Sequence, residues 1–184
     1  MNILAVIGTR PEAVKLAPVV TALMKQGNVN TRVLVTAQHR EMLDQVLLMF
    51  DIAPDYDLDI MSDNQTPRDV FVQVLNGIQP ILVETNPDWL LVQGDTTSVL
   101  AATIAAAYKK IPVGHVEAGL RTYNRDNPFP EEINRVLTDH ASSLHFAPTL
   151  TAREALLREG ISHHTIHVTG NTVIDTLNTI ISRP

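Results

Sequence analysis

Ile3-Leu4-Ala5-Val6-Ile7-Gly8-Thr9-Arg10-Pro11-Glu12 is the stretch on which the reading of this chain turns. Five apolar residues have the length of a buried strand. A glycine then turns the backbone, and a proline near the first position of the next segment opens a helix. Strand, turn and helix in that order begin a βα unit. In an open α/β sheet the ligand crevice lies beyond the carboxyl ends of the strands, where Arg10 and Glu12 fall. Free N–H groups at a helix start, with an arginine beside them, suit a phosphate. The alternative is an ordinary βα turn with Arg10 on the surface. The turn is not the Gly-rich dinucleotide fingerprint.

The same alternation continues along the chain. Pro11 to Lys25 reads as a helix, with Val14, Ala17, Val20 and Met24 near helical spacing. Strands are expected at Thr31–Thr36, Trp89–Val92, Pro112–Val116, Ser142–Phe146 and Thr165–Val168, and a short edge strand at Asp55–Ile60. Helices are expected at Arg40–Phe50, Pro67–Glu84, Thr97–Tyr108, from Glu131, at Thr151–Glu159 and at Val173–Ile181. Continuous apolar strands between helices imply a mostly parallel sheet covered on both faces. Right-handed crossovers make it an α/β, doubly wound, Rossmann-like domain spanning residues 1–184.

Composition narrows the function. The 184 residues include 45% hydrophobic and 18% charged, ample for one large core. Fourteen basic against 20 acidic residues give a net charge of −6, which argues against a nucleic-acid partner. An anionic small molecule held by a few local cations remains compatible. The absence of cysteine excludes disulfides, thiolate metal sites and cysteine nucleophiles. No apolar run approaches the ~20 residues of a membrane span, and no leader pattern opens the chain. A soluble cytoplasmic protein without membrane contact is the expectation.

Three further polar clusters follow strands. Gln93-Gly94-Asp95-Thr96-Thr97-Ser98 offers a tight turn and a carboxylate, although Asp95 or Thr96 also suits a helix cap. His115-Val116-Glu117-Ala118-Gly119-Leu120-Arg121-Thr122 offers Glu117; its structural alternative is a buried His115 with Glu117 paired to Arg121. Glu131 and Glu132 open a helix, where the dipole favours acidic residues in any case. Convergence favours chemistry: in a parallel sheet Arg10, Asp95 and Glu117 face one crevice, with Glu131 near it. Carboxylates beside an arginine can abstract a proton and return one. Arg10 and Lys15 supply positive charge for a leaving phosphate. Gln38-His39-Arg40 is placed to contact a ligand or to start a helix. His163, His164 and His167 read as solvated, no spaced metal-ligand set is present, and no Gly-x-Ser-x-Gly elbow occurs.

The motifs Gly8-Thr9-Arg10-Pro11-Glu12-Ala13, Thr36-Ala37-Gln38-His39-Arg40-Glu41-Met42-Leu43-Asp44-Gln45, Gly94-Asp95-Thr96-Thr97, Gly114 to Thr122, Pro130-Glu131-Glu132, Asn134-Arg135 and Thr169 to Asp175 occur in that order. Together they resemble bacterial non-hydrolysing UDP-N-acetylglucosamine 2-epimerase, from the first strand to the last helix. The resemblance implies a glycosyltransferase-B-like pair of Rossmann-like domains with the site between them, of which this chain is the N-terminal half. It implies interconversion of UDP-GlcNAc and UDP-ManNAc through elimination of UDP to 2-acetamidoglucal and re-addition, with no cofactor and no metal. By resemblance Asp95, Glu117 and Glu131 are catalytic, and Arg10, Lys15, Gln38 and Arg135 bind substrate. The family is usually dimeric. Its second domain supplies most uridine and diphosphate contacts and a catalytic histidine, and a final helix returns to the first. A chain without them is expected to be inactive alone and to expose an apolar wall that favours self-association. Glu41 and Asn64 stand where members regulated by UDP-GlcNAc can have Gln and Arg. The alternatives are a hydrolysing 2-epimerase releasing ManNAc and UDP, a glycosyltransferase of the same architecture, and a non-catalytic nucleotide-sugar-binding fragment.

Overall fold

The computed structural model describes residues 1–36, 40–62 and 64–182, with residues 40–42 as helical backbone. The elements run β1 (Asn2–Ile7), α1 (Arg10–Met24), β2 (Asn30–Val35), α2 (Arg40–Met49), β3 (Tyr56–Asp57), α3 (Pro67–Thr85), β4 (Trp89–Gln93) and α4 (Thr97–Tyr108). They continue β5 (Val113–Val116), α5 (Glu131–Ala141), β6 (Leu144–Ala147), α6 (Leu150–Arg158), a 3-10 turn at His163–Thr165, β7 (Ile166–Val168) and α7 (Val173–Ile181). The seven strands form one sheet in the order β3-β2-β1-β4-β5-β6-β7. Every described pairing is parallel, so the sheet is wholly rather than mostly so. The chain winds outward from β1 to β3, then α3 carries it back to β4. The topological switch point thus lies between β1 and β4, which pair as Ile3 with Trp89 and Ala5 with Leu91.

Alternation along β1 explains the two covered faces. Leu4 and Val6 join one core with Val70, Val74 and Ile78 of α3 and the buried alanines of α4. Ile3, Ala5 and Ile7 point the other way, onto Leu16, Ala17 and Val20 of α1 and Leu43, Val46 and Leu47 of α2. Successive side chains of a strand point to opposite faces, so a strand buried on both must be continuously apolar. The edge strand is shorter than expected because only Leu34 and Val35 pair with it in the ladder. Beyond β3, N–H groups of Leu58 and Ile60 still donate to Val35 and Thr36. On the α1 side, a groove of about 480 Å³ opens beside Val19, Leu23, Trp89, Leu91, Val116 and Phe146. Among the described residues, no helix is long and apolar enough to cross a membrane.

One close approach locks β5's exit to α6. Gly119 has φ +85°, and a Cβ built there would lie 2.3 Å from the Ala152 carbonyl oxygen and 2.9 Å from the Leu156 Cγ. Backbone cannot yield as a flexible side chain does. Gly119→Ala should therefore lower stability by about 3 kcal/mol, combining overpacking with a left-handed alanine. Urea unfolding of the 184-residue chain measures this, and an unchanged midpoint would contradict the contact.

Candidate active site at the carboxyl edge of the sheet

The β1 turn is closed by Glu12. Thr9 is the N-cap of α1 but its side chain makes no capping bond. Glu12 instead reaches back, accepting from the Gly8 N–H at 2.5 Å and the Thr9 hydroxyl at 3.1 Å. The Thr96 side chain, from the β4 turn, also hydrogen-bonds to it. One buried carboxyl thereby ties the two turns that flank the switch point. Burial pushes Glu12 up to about 7, against the lowering pull of these donors. Arg10 starts α1 and is exposed. Gln38 lies outside the described residues.

At the β4 turn the hydroxyl of Thr96, not Asp95, caps α4 by accepting from the Val99 N–H at 3.3 Å. The Asp95 carboxylate is left to pair with the Arg135 guanidinium of α5. Its own carbonyl accepts from Asn134 Nδ2 at 2.9 Å. Arg135 also approaches Glu132 at 3.4 Å. Glu132 accepts from the N–H groups of Thr122 (3.0 Å) and Tyr123 (2.8 Å). Burial raises this carboxyl, but those N–H groups and Arg135 outweigh it and hold Glu132 below its ordinary range. Glu131, one residue earlier, lines a cavity of about 210 Å³ with Thr9, Thr96, Thr97 and Asn134. The first turn of α5 thus holds one structural carboxylate and one facing the cleft.

At the β5 turn Glu117 adopts φ 68°. Lys15 Nζ of α1 lies 2.7 Å from each of its carboxylate oxygens, and Asn171 Nδ2 donates at 3.4 Å. Lys15, read from the sequence as a phosphate-binding cation, stands here on a carboxylate. Asn171 also accepts from the Val173 N–H at 3.1 Å, so it steadies the start of α7 as well as Glu117. Arg121 does not pair with Glu117. It bridges Asp139 (2.8 Å) and Glu159 (2.6 Å). His115 is buried, with Nδ1 2.6 Å from Asp139. The structural alternative therefore holds for the burial of His115 and fails for the pairing of Glu117 with Arg121, whose partners are Asp139 and Glu159. His163 and His164 sit in the exposed 3-10 turn. Among the described residues no group of three His, Asp or Glu gathers to hold a metal ion.

The structure thus brings Asp95, Glu117 and Glu131 to one edge with Arg10, Lys15 and Arg135. Sequence reasoning placed Glu12 at the crevice and Glu132 at a helix start without giving either its structural role, and it assigned no role to Asp139 or Asn171. Glu12 and Asn171 had a signal, lying inside turns that follow strands. Asp139, mid-helix on α5, had none.

The model of the UDP-N-acetylglucosamine 2-epimerase family matches residues 21–183. The chain is 56% identical over 177 residues to UDP-N-acetylglucosamine 2-epimerase of Escherichia coli K12, covering 96% of this chain and 47% of that protein. Its fold superposes with a TM-score of 0.95 on the crystal structure of UDP-GlcNAc 2-epimerase from Neisseria meningitidis bound to UDP-GlcNAc. There the identity is 51%, over 98% of this chain and 50% of that one. A lipopolysaccharide outer core galactosyltransferase, 16% identical, shares the fold alone at a TM-score of 0.66, over 93% of this chain and 46% of that one. The chain spans about half the length of the curated relatives it matches.

Glu12 gives a stability prediction. Its folded value of about 7 exceeds the ordinary 4.5, so between those pH values the folded state binds more protons than the unfolded. Stability then falls as pH rises through that window and is flat above it. The loss from this group is about 3 kcal/mol. Glu12→Gln should abolish that slope in urea unfolding at a series of pH values. A slope surviving the substitution would locate it elsewhere.

Proposed function

The chain belongs to the UDP-N-acetylglucosamine 2-epimerase family, and we propose that it supplies the carboxylate-bearing half of a site interconverting UDP-GlcNAc and UDP-ManNAc. The observation that carries this reading is the convergence of Asp95 from the β4 turn with Glu117 and Glu131 from the two ends of the β5–α5 connection, Arg135 and Lys15 being paired to the first two. Removing the weakly acidic C2 proton requires a positioned base and a stabilised leaving group acting together. In the proposed cycle one carboxylate takes that proton as UDP departs, leaving 2-acetamidoglucal. UDP then returns, and a proton is delivered to the opposite face of C2. Arg10, exposed at the start of α1, would offer positive charge to the departing diphosphate, and Lys15 would do so only by sharing its charge with Glu117. No metal or nicotinamide enters this cycle.

On this reading residues 1–184 form one domain of a glycosyltransferase-B-like pair. A second domain completes the site with the uridine and diphosphate contacts, and the chain alone turns over little or no substrate. The apolar groove beside α1 is compatible with a further segment of protein packing on this domain. Within Gly94-Asp95-Thr96-Thr97 and Glu117-Ala118-Gly119-Leu120-Arg121 the motifs favour the non-hydrolysing type.

Proton NMR of UDP-GlcNAc in deuterated water, with the protein carrying both domains, tests the reading. Loss of the C2 proton signal with appearance of UDP-ManNAc is the expected result. Free ManNAc with UDP would reassign it to the hydrolysing type, and line broadening without chemistry would leave only binding. In that protein Asp95→Asn, Glu117→Gln and Glu131→Gln should each lower kcat about 100-fold or more. Unchanged rates in all three would overturn the assignment. Glu131, facing a cavity rather than a cation, should alter the unfolding midpoint least.

A further inference from the structure

His115 on β5 is fully buried, and both of its ring nitrogens meet oxygens that can only accept. Nδ1 lies 2.6 Å from the Asp139 carboxylate of α5, and Nε2 lies 2.7 Å from the Gly94 carbonyl. A neutral imidazole carries one N–H and would turn a lone pair toward one of these oxygens. The two contacts together call for a proton on each nitrogen. The surroundings balance that charge. Asp139 also accepts from the Gly119 N–H at 3.1 Å and from Arg121, which pairs onward with Glu159 at the end of α6. His140 stands 3.7 Å from Glu159, and His145 on the adjoining β6 donates from Nε2 to the Asp139 carbonyl at 2.8 Å. Burial alone would strip the proton from His115. The Asp139 charge and the bonds to Asp139 and Gly94 outweigh burial and the opposing Arg121, so its pKa is raised.

Gly94 is the residue before Asp95. It has φ +80°, and a Cβ there would meet nothing within 4 Å, so Gly94 itself has open space on that side. Hydrogen bonds hold it. Its N–H donates to the Val116 carbonyl at 3.0 Å, and its carbonyl is gripped by His115. On the other side of the same residue, Asn134 holds the Asp95 carbonyl and Arg135 the Asp95 carboxylate.

We propose that His115 is a positioning residue for Asp95: anchored as an imidazolium on Asp139, it fixes the Gly94–Asp95 peptide and with it the direction of the Asp95 carboxylate. The consequence for turnover rests on the proposed role of Asp95; the coupling itself does not. A neutral His115 would release the Gly94 carbonyl, and a turn that loses this bond would sample other directions.

Ring ¹⁵N spectra of the 184-residue chain test the charge. Both nitrogens of His115 should be protonated at pH 7, with a midpoint above the ordinary histidine value. Asp139→Asn should lower that midpoint, and the Gly94 carbonyl and Asp95 amide shifts should move with the same midpoint. Should that variant not fold, wild-type protein carried to higher pH gives the same comparison. A neutral His115 at pH 7, or an Asp95 amide that stays flat while His115 titrates, would overturn the proposal. In the two-domain protein, His115→Gln retains an uncharged donor and should lower kcat about tenfold or more, with KM within about twofold. An unchanged kcat would remove the positioning role. Absence of turnover in the wild type would count against the proposed function and leave both spectroscopic results standing.

Discussion

Parallel pairing of β1 with both β2 and β4 is the constraint on which the rest of the molecule depends. It buries β1 on both faces, which demands a continuous apolar run. It also sends every strand out at the same edge, so the turns after β1, β4, β5 and β7 come together although their residues are up to about 160 positions apart. The contacts between them are long-range in sequence: Lys15 with Glu117, Asp95 with Arg135, Glu117 with Asn171. Each turn also leads into a helix, whose first N–H groups need acceptors. Thr96 answers that need for α4, while Glu12 binds the β1 turn through the Gly8 N–H and is hydrogen-bonded by the Thr96 side chain, which ties the neighbouring turns together.

The site is built from charge pairs rather than from apolar packing. The chain Glu159–Arg121–Asp139–His115 runs from α6 to β5 with alternating sign and almost no exposure at its centre. Buried ion pairs contribute little net stability once desolvation is counted, because the attraction roughly offsets the cost of leaving water. Removing one partner is costly, since it strands the other. Such a network favours one arrangement of its members over others. Here the members are the loop after β5, the start of the β4 turn and the side of α5, which are the supports of Asp95 and Glu117.

Much of this was legible in the sequence, for physical reasons. Two-sided burial makes strands such as Leu4–Ile7 and Leu90–Val92 read as unbroken apolar runs, and Pro11 and Pro67 mark helix starts. Strand ends were less legible, because ladder hydrogen bonds rather than side-chain character decide where β3 and β6 stop. In the site, the three carboxylates were found through turns that follow strands and through ordered motifs. Their partners were not. Nothing in the spacing of Glu131 and Glu132 distinguishes them, since the helix dipole favours both. Only the folded loop, with the Thr122 and Tyr123 N–H groups aimed at Glu132, separates the buried clamp from the residue facing the cavity. Asp139 sits in mid-helix without a pattern, and its importance arises from what the sheet places beside it.

Glu117 brings these strands of argument together. Its φ of 68° is a left-handed backbone that costs a residue with a side chain about 1–2 kcal/mol relative to the right-handed form. Glycine would relieve that cost, and two residues later the chain does use glycine at φ +85°. The surroundings over-determine the strained position. The N–H groups of Glu117 and Ala118 both donate to the Phe146 carbonyl, at 3.0 and 3.2 Å, which fixes the turn whichever side chain it carries. The side chain adds only a part-buried pair with Lys15 and a long contact to Asn171, a modest return on stability grounds. A carboxylate at a position suited to glycine and matched with a cation is what the proposed role of Glu117 requires, and folding alone gives little reason for it.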